Sequence, residues 1–327
     1  MGTAGTAGPT SVTDPTVRAG SRTGLVVALV SAAAFGTSGA FGSALISAGW
    51  SPSAVVLIRV ALAAAILAVP AGLALRGHRG ILARSRGQVM LFGIFGVACA
   101  QVCYFYAVSR LSVGVALMLE YLGVILVVLW MWLRHGRRPR GLTLLGSAVA
   151  VAGLALVLDV VGGFRIDPVG VLWGLGAAVG LAVFFVISSR STDAVPPVAM
   201  AGLGLGVGAV VLLLLGLSGV MPLAARFEPV AFAGTTVPWW LLVLGISVIA
   251  AVVAYVVGIV AARMLGATMA SFIGLTEVLF AVIFAWLLLG ELPTAVQLAG
   301  GVLIVAGVAM VRIDELRRAR RAASLAD

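Results

Sequence analysis

Three ionisable side chains lie within long apolar stretches of this chain, where a charge is costly. Glu120 interrupts GVALMLEYLGVILVVLW (114–130), Glu277 lies in a similar run, and Arg59 falls within SPSAVVLIRVALAAAIL (51–67). A charge inside hydrocarbon costs on the order of 2.5–3.5 kcal/mol even on lenient insertion scales. Such groups are tolerated where they face a cavity or a partner, so each marks a candidate functional position. Asp159 stands close to the end of another apolar stretch.

The two glutamates suit one kind of chemistry. Glu120, Glu277 or both could bind a cationic or amino group, or exchange a proton with it, since desolvation favours the neutral form of a carboxyl. The alternative is that each is a protonated or hydrogen-bonded packing residue. Arg59 leaves three interpretations open: it could snorkel outward, bind a substrate carboxylate, or pair with a glutamate.

Further polar side chains in the same stretches are candidates for substrate binding or coupling, although each alone could equally be a helix–helix hydrogen bond. These residues are Ser38, Gln101, Tyr104, Tyr121, Tyr255 and Ser271. The two cysteines, Cys99 and Cys103, share a helix face and are interpreted as small apolar filler. We therefore expect neither a metal site nor a cofactor.

Composition determines the elements that must position these residues. Of 327 residues, 62% are hydrophobic and only 10% are charged, with a mean hydropathy of +1.21. Soluble domains carry roughly 25% charged residues, so a soluble fold is excluded. Apolar stretches of roughly 20 residues, enough for a helix to cross the hydrocarbon, predict an all-α polytopic membrane protein. We predict ten spans: about 24–48, 53–74, 88–109, 112–133, 141–160, 168–189, 198–219, 238–262, 266–289 and 293–311.

Arginine predicts the orientation of these spans. All 21 basic residues are arginine, and the net charge is +10. With ten spans both termini share one side, which holds 17 arginines against three on the other. Because short cytoplasmic loops are enriched in Arg and Lys, both termini are predicted to be cytoplasmic, in a multi-pass cytoplasmic (inner) membrane protein. The positive charge then indicates contact with membrane lipids and requires no nucleic-acid partner.

The chain contains an internal repeat. At an offset of 154 residues, WMWLRHGRRPRGLTLLGSAVAVAGLALV (130–157) aligns without gaps with FAWLLLGELPTAVQLAGGVLIVAGVAMV (284–311), matching Trp, Gly and Pro positions. Each half holds five spans, an odd number, so the second half must enter the bilayer inverted. Inverted repeats accompany alternating access to a central site.

These features divide the chain into four segments. We expect a disordered cytoplasmic segment at 1–23, a first five-helix repeat at 24–161, a second at 162–312, and a basic cytoplasmic tail at 313–327. The tail either continues the last span as a basic helix on the inner leaflet or forms a solvated charge cluster.

On these residues the chain resembles the drug/metabolite transporter superfamily, EamA type, over about 24–312. LLLGELPTAVQLAGGVLIVAG (287–307) is similar to the family's Gly-Glu…Gly…Gly close, and an Arg early in the second span also looks familial. Departures are Arg137, where the second repeat has Glu291, and Val124 and Val278, where a Pro is often found. The resemblance implies a ten-helix carrier with a cavity lined mainly by spans 1–4 and 6–9.

The predicted function is secondary transport of a small-molecule substrate. The resemblance implies export or exchange of metabolites such as amino acids or drugs by alternating access, and the two glutamates add proton coupling as a hypothesis. An uncoupled facilitator or channel is the alternative. An intramembrane enzyme is disfavoured because the chain has no Lys and no His within a span to build the usual catalytic groups.

Overall fold

The structure is a computed structural model that describes residues 15–76, 79–108, 110, 113–135, 141–157, 167–190, 195–289, 292 and 294–323. Helices dominate these residues. They are α1 (Pro15–Ser47), α2 (Pro52–Ala74), α3 (Arg79–Leu91), α4 (Ala100–Val108), α5 (Val113–Tyr121), α6 (Gly123–His135), α7 (Gly141–Val157), α8 (Pro168–Ser188), α9 (Pro197–Leu217), α10 (Trp239–Ser247), α11 (Ala254–Leu265), α12 (Ala267–Gly274), α13 (Thr276–Phe284) and α14 (Ala295–Ala323).

Seven helical stretches within the described residues are long and apolar enough to cross a membrane. They are Arg22–Ser47, Pro52–Ala74, Leu82–Ala107, Pro168–Ser188, Pro197–Leu217, Trp239–Leu265 and Ala267–Leu288. Two shorter apolar helices, Gly141–Leu156 and Leu298–Val311, coincide with the predicted fifth and tenth spans. The predicted fourth span is the pair α5 and α6. The chain is therefore a multi-pass membrane protein.

The two halves share two local irregularities, whereas a third π-helical segment, Ala285–Leu289, corresponds to regular α-helix in α6. A π-helical segment joins α3 to α4 at Phe92–Cys99, and another joins α10 to α11 at Val248–Val253. A single turn residue, Leu122, separates α5 from α6, and Leu275 likewise separates α12 from α13. Both breaks carry the same pair of i→i−3 backbone hydrogen bonds. Such shared local departures indicate that the halves are copies of one structural unit.

Helices α7 and α14 pack closely along glycine. A Cβ on Gly146 would lie 2.8 Å from the carbonyl oxygen of Gly307, and one on Gly153 would lie 2.6 Å from that of Gly300. The residue numbers rise along one helix as they fall along the other, so the two helices are antiparallel. In the repeat Gly146 corresponds to Gly300 and Gly153 to Gly307, so the two contacts exchange under the symmetry. This is the self-complementary contact that a two-fold axis produces.

The halves interleave through their other helices. Helix α1 packs against α11 and α13 of the second half, while α8 packs against α4, α5 and α6 of the first, and α2 lies along α9. One apolar core extends through the helices of both halves, with Phe92, Leu205 and Ile259 fully buried. Residues far apart in sequence can therefore meet at the centre.

A β-hairpin departs from the all-α prediction. Strands β1 (Val230–Phe232) and β2 (Thr235–Val237) pair antiparallel, and the two-residue loop Ala233-Gly234 has positive φ at both positions. Two-residue loops of this kind match the natural strand twist. The second repeat thus has an excursion between α9 and α10 that the hydropathy pattern does not predict.

The hairpin and its flanks cover one end of α1 and α2. The Ser51 hydroxyl donates to the Pro222 carbonyl oxygen (2.8 Å), and the Trp50 indole donates to the Arg226 carbonyl oxygen (2.6 Å). Phe41 stacks on Phe232 with ring centroids 5.5 Å apart. Trp50 is consequently buried. We call residues 218–238 the hairpin cap.

The ends of the chain differ partly from expectation. Helix α1 begins at Pro15, nine residues before the predicted span and within the segment expected to be disordered; residues 1–14 lie outside the described ones. Proline suits the first turn of a helix because its missing N–H has no partner there. At the other end, α14 runs unbroken to Ala323, so the basic residues continue the last apolar helix as one of the two alternatives proposed.

Candidate functional site

A cavity lies between helices of both halves near their centres. Its lining residues are Ala28, Ser31, Ala32, Phe35, Gly96, Ala100, Gln101, Glu120, Tyr121, Leu181, Phe184, Phe185, Tyr255, Gly258, Ala261, Ala270, Gly274 and Glu277. The cavity offers about 80 Å³ to the centres of water-sized molecules, where one water needs roughly 10–15 Å³ on that measure. It can therefore hold several waters or one compact organic molecule.

Both glutamates line this cavity from equivalent broken helices. Glu120 lies two residues before the break at Leu122, and Glu277 lies two residues after the break at Leu275. Breaks in transmembrane helices typically occur where backbone lines a binding cavity. The repeat therefore places one carboxyl from each half at a common site.

Tyr121 connects the two breaks. Its hydroxyl donates to the carbonyl oxygen of Gly274 at 3.5 Å, and Glu277 is close enough to interact with it electrostatically. Tyr121 is the last residue of α5, whereas Gly274 and Glu277 belong to the second half. The hydrogen bond from Tyr121 therefore joins the two halves beside both helix breaks.

Arg59 is buried beside the cavity and does not line it. One Nη donates to the Ser38 hydroxyl at 2.8 Å and to the Gln101 amide oxygen at 3.4 Å, and the other donates to the Ala250 carbonyl oxygen at 2.7 Å. The side chain is only 3% exposed, so it does not snorkel outward. It lies close enough to both glutamates for electrostatic interaction.

The carbonyl oxygen that accepts a hydrogen bond from Arg59 belongs to the π-helical segment between α10 and α11. Ala250 lies within Val248–Val253, where the backbone is wound to an i→i+5 pattern, and π-helical turns occur frequently at functional sites. The bond between Arg59 and Ala250 joins the first half to the second. The sequence gives no signal for it, because a main-chain acceptor has no residue type to mark it.

The other predicted residues divide into two groups. Gln101, Tyr121 and Tyr255 line the cavity with the glutamates, and Ser38 holds Arg59 next to it. Tyr104 and Ser271 are not among the lining residues: Tyr104 packs against Phe105, and the Ser271 hydroxyl donates within its own helix to the Thr268 carbonyl oxygen at 2.8 Å. Asp159 lies outside the described residues.

Sequence reasoning missed one polar lining residue. The Ser31 hydroxyl faces the cavity wall and donates to the Ala254 carbonyl oxygen at 2.8 Å. Ser31 precedes Ser38 by seven residues, two helical turns, so both serines lie on one face of α1. This seven-residue spacing is the sequence signal from which Ser31 could have been predicted as a lining residue.

Aromatic rings form one wall of the cavity. The ring centroids of Phe35 and Tyr255 are 5.1 Å apart, and those of Phe184 and Tyr255 are 5.6 Å apart, both edge to face. Phe185 packs on Phe184 at 5.1 Å. Such edge-to-face pairs hold the rings in fixed relative positions. Because Phe35 belongs to the first half and the other three rings to the second, both halves build this wall.

The helices that line the cavity match the resemblance only in part. The lining residues fall within the predicted first, third, fourth, sixth, eighth and ninth spans, whereas α2 and α9 provide none of them. Those two helices pack on each other instead: a Cβ on Gly202 would lie 2.9 Å from the Ala71 side chain. Spans 2 and 7 therefore support the site from behind.

Within the described residues, no cluster of three or more His, Cys, Asp or Glu side chains is placed to hold a metal ion. The Cys99 and Cys103 sulfurs lie 3.6 Å apart, and a Cβ on Gly176 would lie 2.8 Å from the Cys103 sulfur. This tight contact is the packing role expected of small apolar residues.

Comparison with known proteins identifies a family and two relatives that this chain resembles. The EamA-like transporter family matches residues 22–159 and 168–313, one copy for each half. An uncharacterized inner membrane transporter, YicL, of Salmonella typhimurium is 24% identical over 241 residues, covering 72% of this chain and 76% of the relative. A probable terminal-alkyne amino-acid exporter of Streptantibioticus cattleyicolor is 29% identical over 278 residues, covering 84% and 89%.

The fold is also found among solved structures. One crystal structure superposes with a TM-score of 0.73 at 22% identity, covering 90% of this chain and 98% of the other. The family and these two relatives are transporters, which points away from an enzyme. With both halves matched by one family, the chain belongs to the EamA-like transporter family of membrane proteins.

Proposed function

We propose that this protein is a secondary transporter that exports or exchanges small metabolites, such as amino acids or drugs, across the cytoplasmic membrane by alternating access. One observation carries the proposal: equivalent broken helices of the two repeats each bring a glutamate to a single cavity. The name of the Streptantibioticus relative supports export and amino acids as one substrate class.

The proposed topology has ten transmembrane helices, in two inverted five-helix repeats at 24–161 and 162–312, with both termini cytoplasmic. The antiparallel contact of α7 with α14 supports inversion, because these helices occupy the same place in the two repeats. The excess of arginine on the side of the termini supports the orientation. In this arrangement the hairpin cap lies outside the cell.

The state described is then closed toward the outside. Along α1 the cavity spans Ala28 to Phe35, Ser38 binds Arg59 next, and Phe41 contacts the hairpin cap beyond it. Opening to the outside requires the Arg59–Ala250 hydrogen bond, which joins the two halves, to break and the cap to separate from α1. A rocking motion of the two halves about the cavity would open it to one side and close it to the other.

Proton coupling is the further element of the proposal. Glu120 and Glu277 lie in one cavity within electrostatic reach of each other, of Arg59 and of the hydroxyls of Tyr104, Tyr121 and Tyr255. Two carboxylates so close to one another compete for protons as a pair. A substrate that enters could release a proton from this pair, which links transport to the pH gradient.

The test is uptake of a pooled metabolite library into proteoliposomes, measured by mass spectrometry with and without an imposed pH gradient. We expect a subset of compounds to accumulate only with the gradient, and Glu120→Gln or Glu277→Gln to abolish that dependence. Glu228→Gln is the matched control, because Glu228 is exposed in the hairpin cap.

Two results would count against the proposal. Equilibration that ignores the gradient would remove proton coupling and leave a facilitator. No movement above that of empty liposomes, under either condition, would reject transport of the compounds in the pool.

A further inference from the structure

The charges that face the cavity are of one sign. Among its lining residues the ionisable acids are Glu120 and Glu277, and no described basic side chain lines it. The third charge in the region, Arg59, presents both Nη groups to protein acceptors and is almost fully buried. A ligand in the cavity therefore meets carboxylates and not a guanidinium.

The same three groups are one positive charge short of neutrality when both carboxylates are ionised. Uncompensated charge away from water is expensive, and it must be neutralised by a proton or by a bound cation. A monocation supplies the missing charge. An anion would add to the imbalance, and a zwitterion would leave it unchanged while placing its own carboxylate beside the glutamates.

The aromatic wall favours the same charge. The rings of Phe35, Phe184 and Tyr255 line part of the cavity and contact one another, and aromatic rings attract ammonium groups electrostatically. The remaining lining is mostly Ala and Gly, which offers apolar contact in a small volume. A compact apolar body attached to an ammonium group suits this surface.

We propose that the ligand of this cavity is a small organic monocation, an ammonium group on a compact apolar body, held by Glu120 and Glu277 against the aromatic wall. The inference rests on the proposed transport function and narrows its substrate class. It selects against free carboxylates, because both Nη groups of the nearest arginine, Arg59, already donate to Ser38, Gln101 and Ala250. The Arg59 Nε has no hydrogen-bond partner but is buried, and Arg59 is not among the residues that line the cavity.

The test compares three compounds of one shape and different charge: isobutylamine, valine and isovalerate, the cation, zwitterion and anion of the same branched skeleton. Binding to the purified full-length protein in nanodiscs is measured by ligand-dependent shifts in Tm across a concentration series. We expect isobutylamine to bind about tenfold or more tightly than valine, and isovalerate to give no shift.

Variants then locate the site. Glu120→Gln and Glu277→Gln should each weaken isobutylamine binding about tenfold or more, whereas Glu228→Gln should leave it unchanged. If a variant fails to fold, the wild-type charge series still decides. Valine or isovalerate binding as tightly as isobutylamine would overturn the inference, as would isobutylamine binding that both glutamine variants retain.

Failure of the inference differs from failure of the proposed function. A protein that transports zwitterions in proteoliposomes and binds valine best remains a transporter with a different substrate class. A protein that binds isobutylamine at the two glutamates but moves no compound across the bilayer keeps the site and loses the transport function.

Discussion

At the scale of single residues, Arg59 is a charged side chain that connects the two halves. Its guanidinium is planar and donates in fixed directions, so it can reach the Ser38 hydroxyl and the Ala250 carbonyl oxygen at once. A buried charge held by several acceptors is costly to disturb, since each lost bond leaves a group without its partner. Arg59 is therefore a positioning residue, adjacent to the cavity.

We predict that Arg59→Lys lowers the free energy of unfolding by about 1.5–3 kcal/mol, the range for one hydrogen bond to a charged group. Lysine keeps the charge but is a single point donor that cannot span both acceptors. Chemical denaturation in detergent measures the change. Arg190→Lys is the control, because Arg190 is exposed at the end of α8 and surface changes stay within about 0.5 kcal/mol.

Equal stability of Arg59→Lys and the control would contradict this account. It would mean that only the charge at Arg59 matters, as a counter-ion for the glutamates, and that the bonds to Ser38 and Ala250 contribute little.

At the scale of elements, glycine sets the distance between α7 and α14. The Cβ positions of Gly146, Gly153 and Gly307 all meet backbone atoms of the facing helix at under 3 Å. Membrane helices associate through such close backbone approach, since lipid provides no hydrophobic force between them. Corresponding residues of the two repeats make this contact. A substitution in α7 therefore tests one of two symmetry-related contacts.

We predict that Gly153→Ala destabilises the protein by about 1–3 kcal/mol, the usual cost of overpacking. The added methyl would lie 2.6 Å from the Gly300 carbonyl oxygen, and backbone cannot move aside as a side chain can. Gly206→Ala is the matched control: it lies within α9 with open space around its Cβ, and alanine should there be neutral or stabilising by up to about 1 kcal/mol.

Thermal unfolding of both variants gives the comparison. Loss of stability in Gly206→Ala equal to that in Gly153→Ala would show that lipid contact, and not the α7–α14 approach, controls the effect.

Elements also show what the sequence could predict. The repeat, the span positions and the two glutamates are visible because a carboxylate in an apolar run, and Trp, Gly and Pro in one register, are rare by chance. The hairpin cap is not visible, because its strands are three residues long and exposed or half-buried except at Val230, which is buried only through contacts with residues distant in sequence. The π-helical segments are equally hidden, since they depend on packing between halves and have no distinctive composition.

At the scale of the whole molecule, the site is a product of the repeat. Each half brings one broken helix, one glutamate and part of the aromatic wall to the cavity, and neither half alone encloses it. The asymmetric parts lie around it: Arg59 has no charged counterpart in α9, and the hairpin cap has no counterpart between α2 and α3. In the proposed orientation both asymmetric features belong to the outward closure.

That orientation gives a prediction for the intact protein in cells. In a variant with both native cysteines replaced by alanine, a single cysteine at Thr236 in the hairpin cap should react with a membrane-impermeant maleimide added outside. A single cysteine at Arg190, between α8 and α9, should react only after the membrane is permeabilised. Both positions are exposed, so accessibility within the protein does not explain a difference. Labelling of Arg190→Cys and not Thr236→Cys in intact cells would invert the topology, place Arg59 and the hairpin cap on the cytoplasmic side, and make the described state closed toward the cytoplasm.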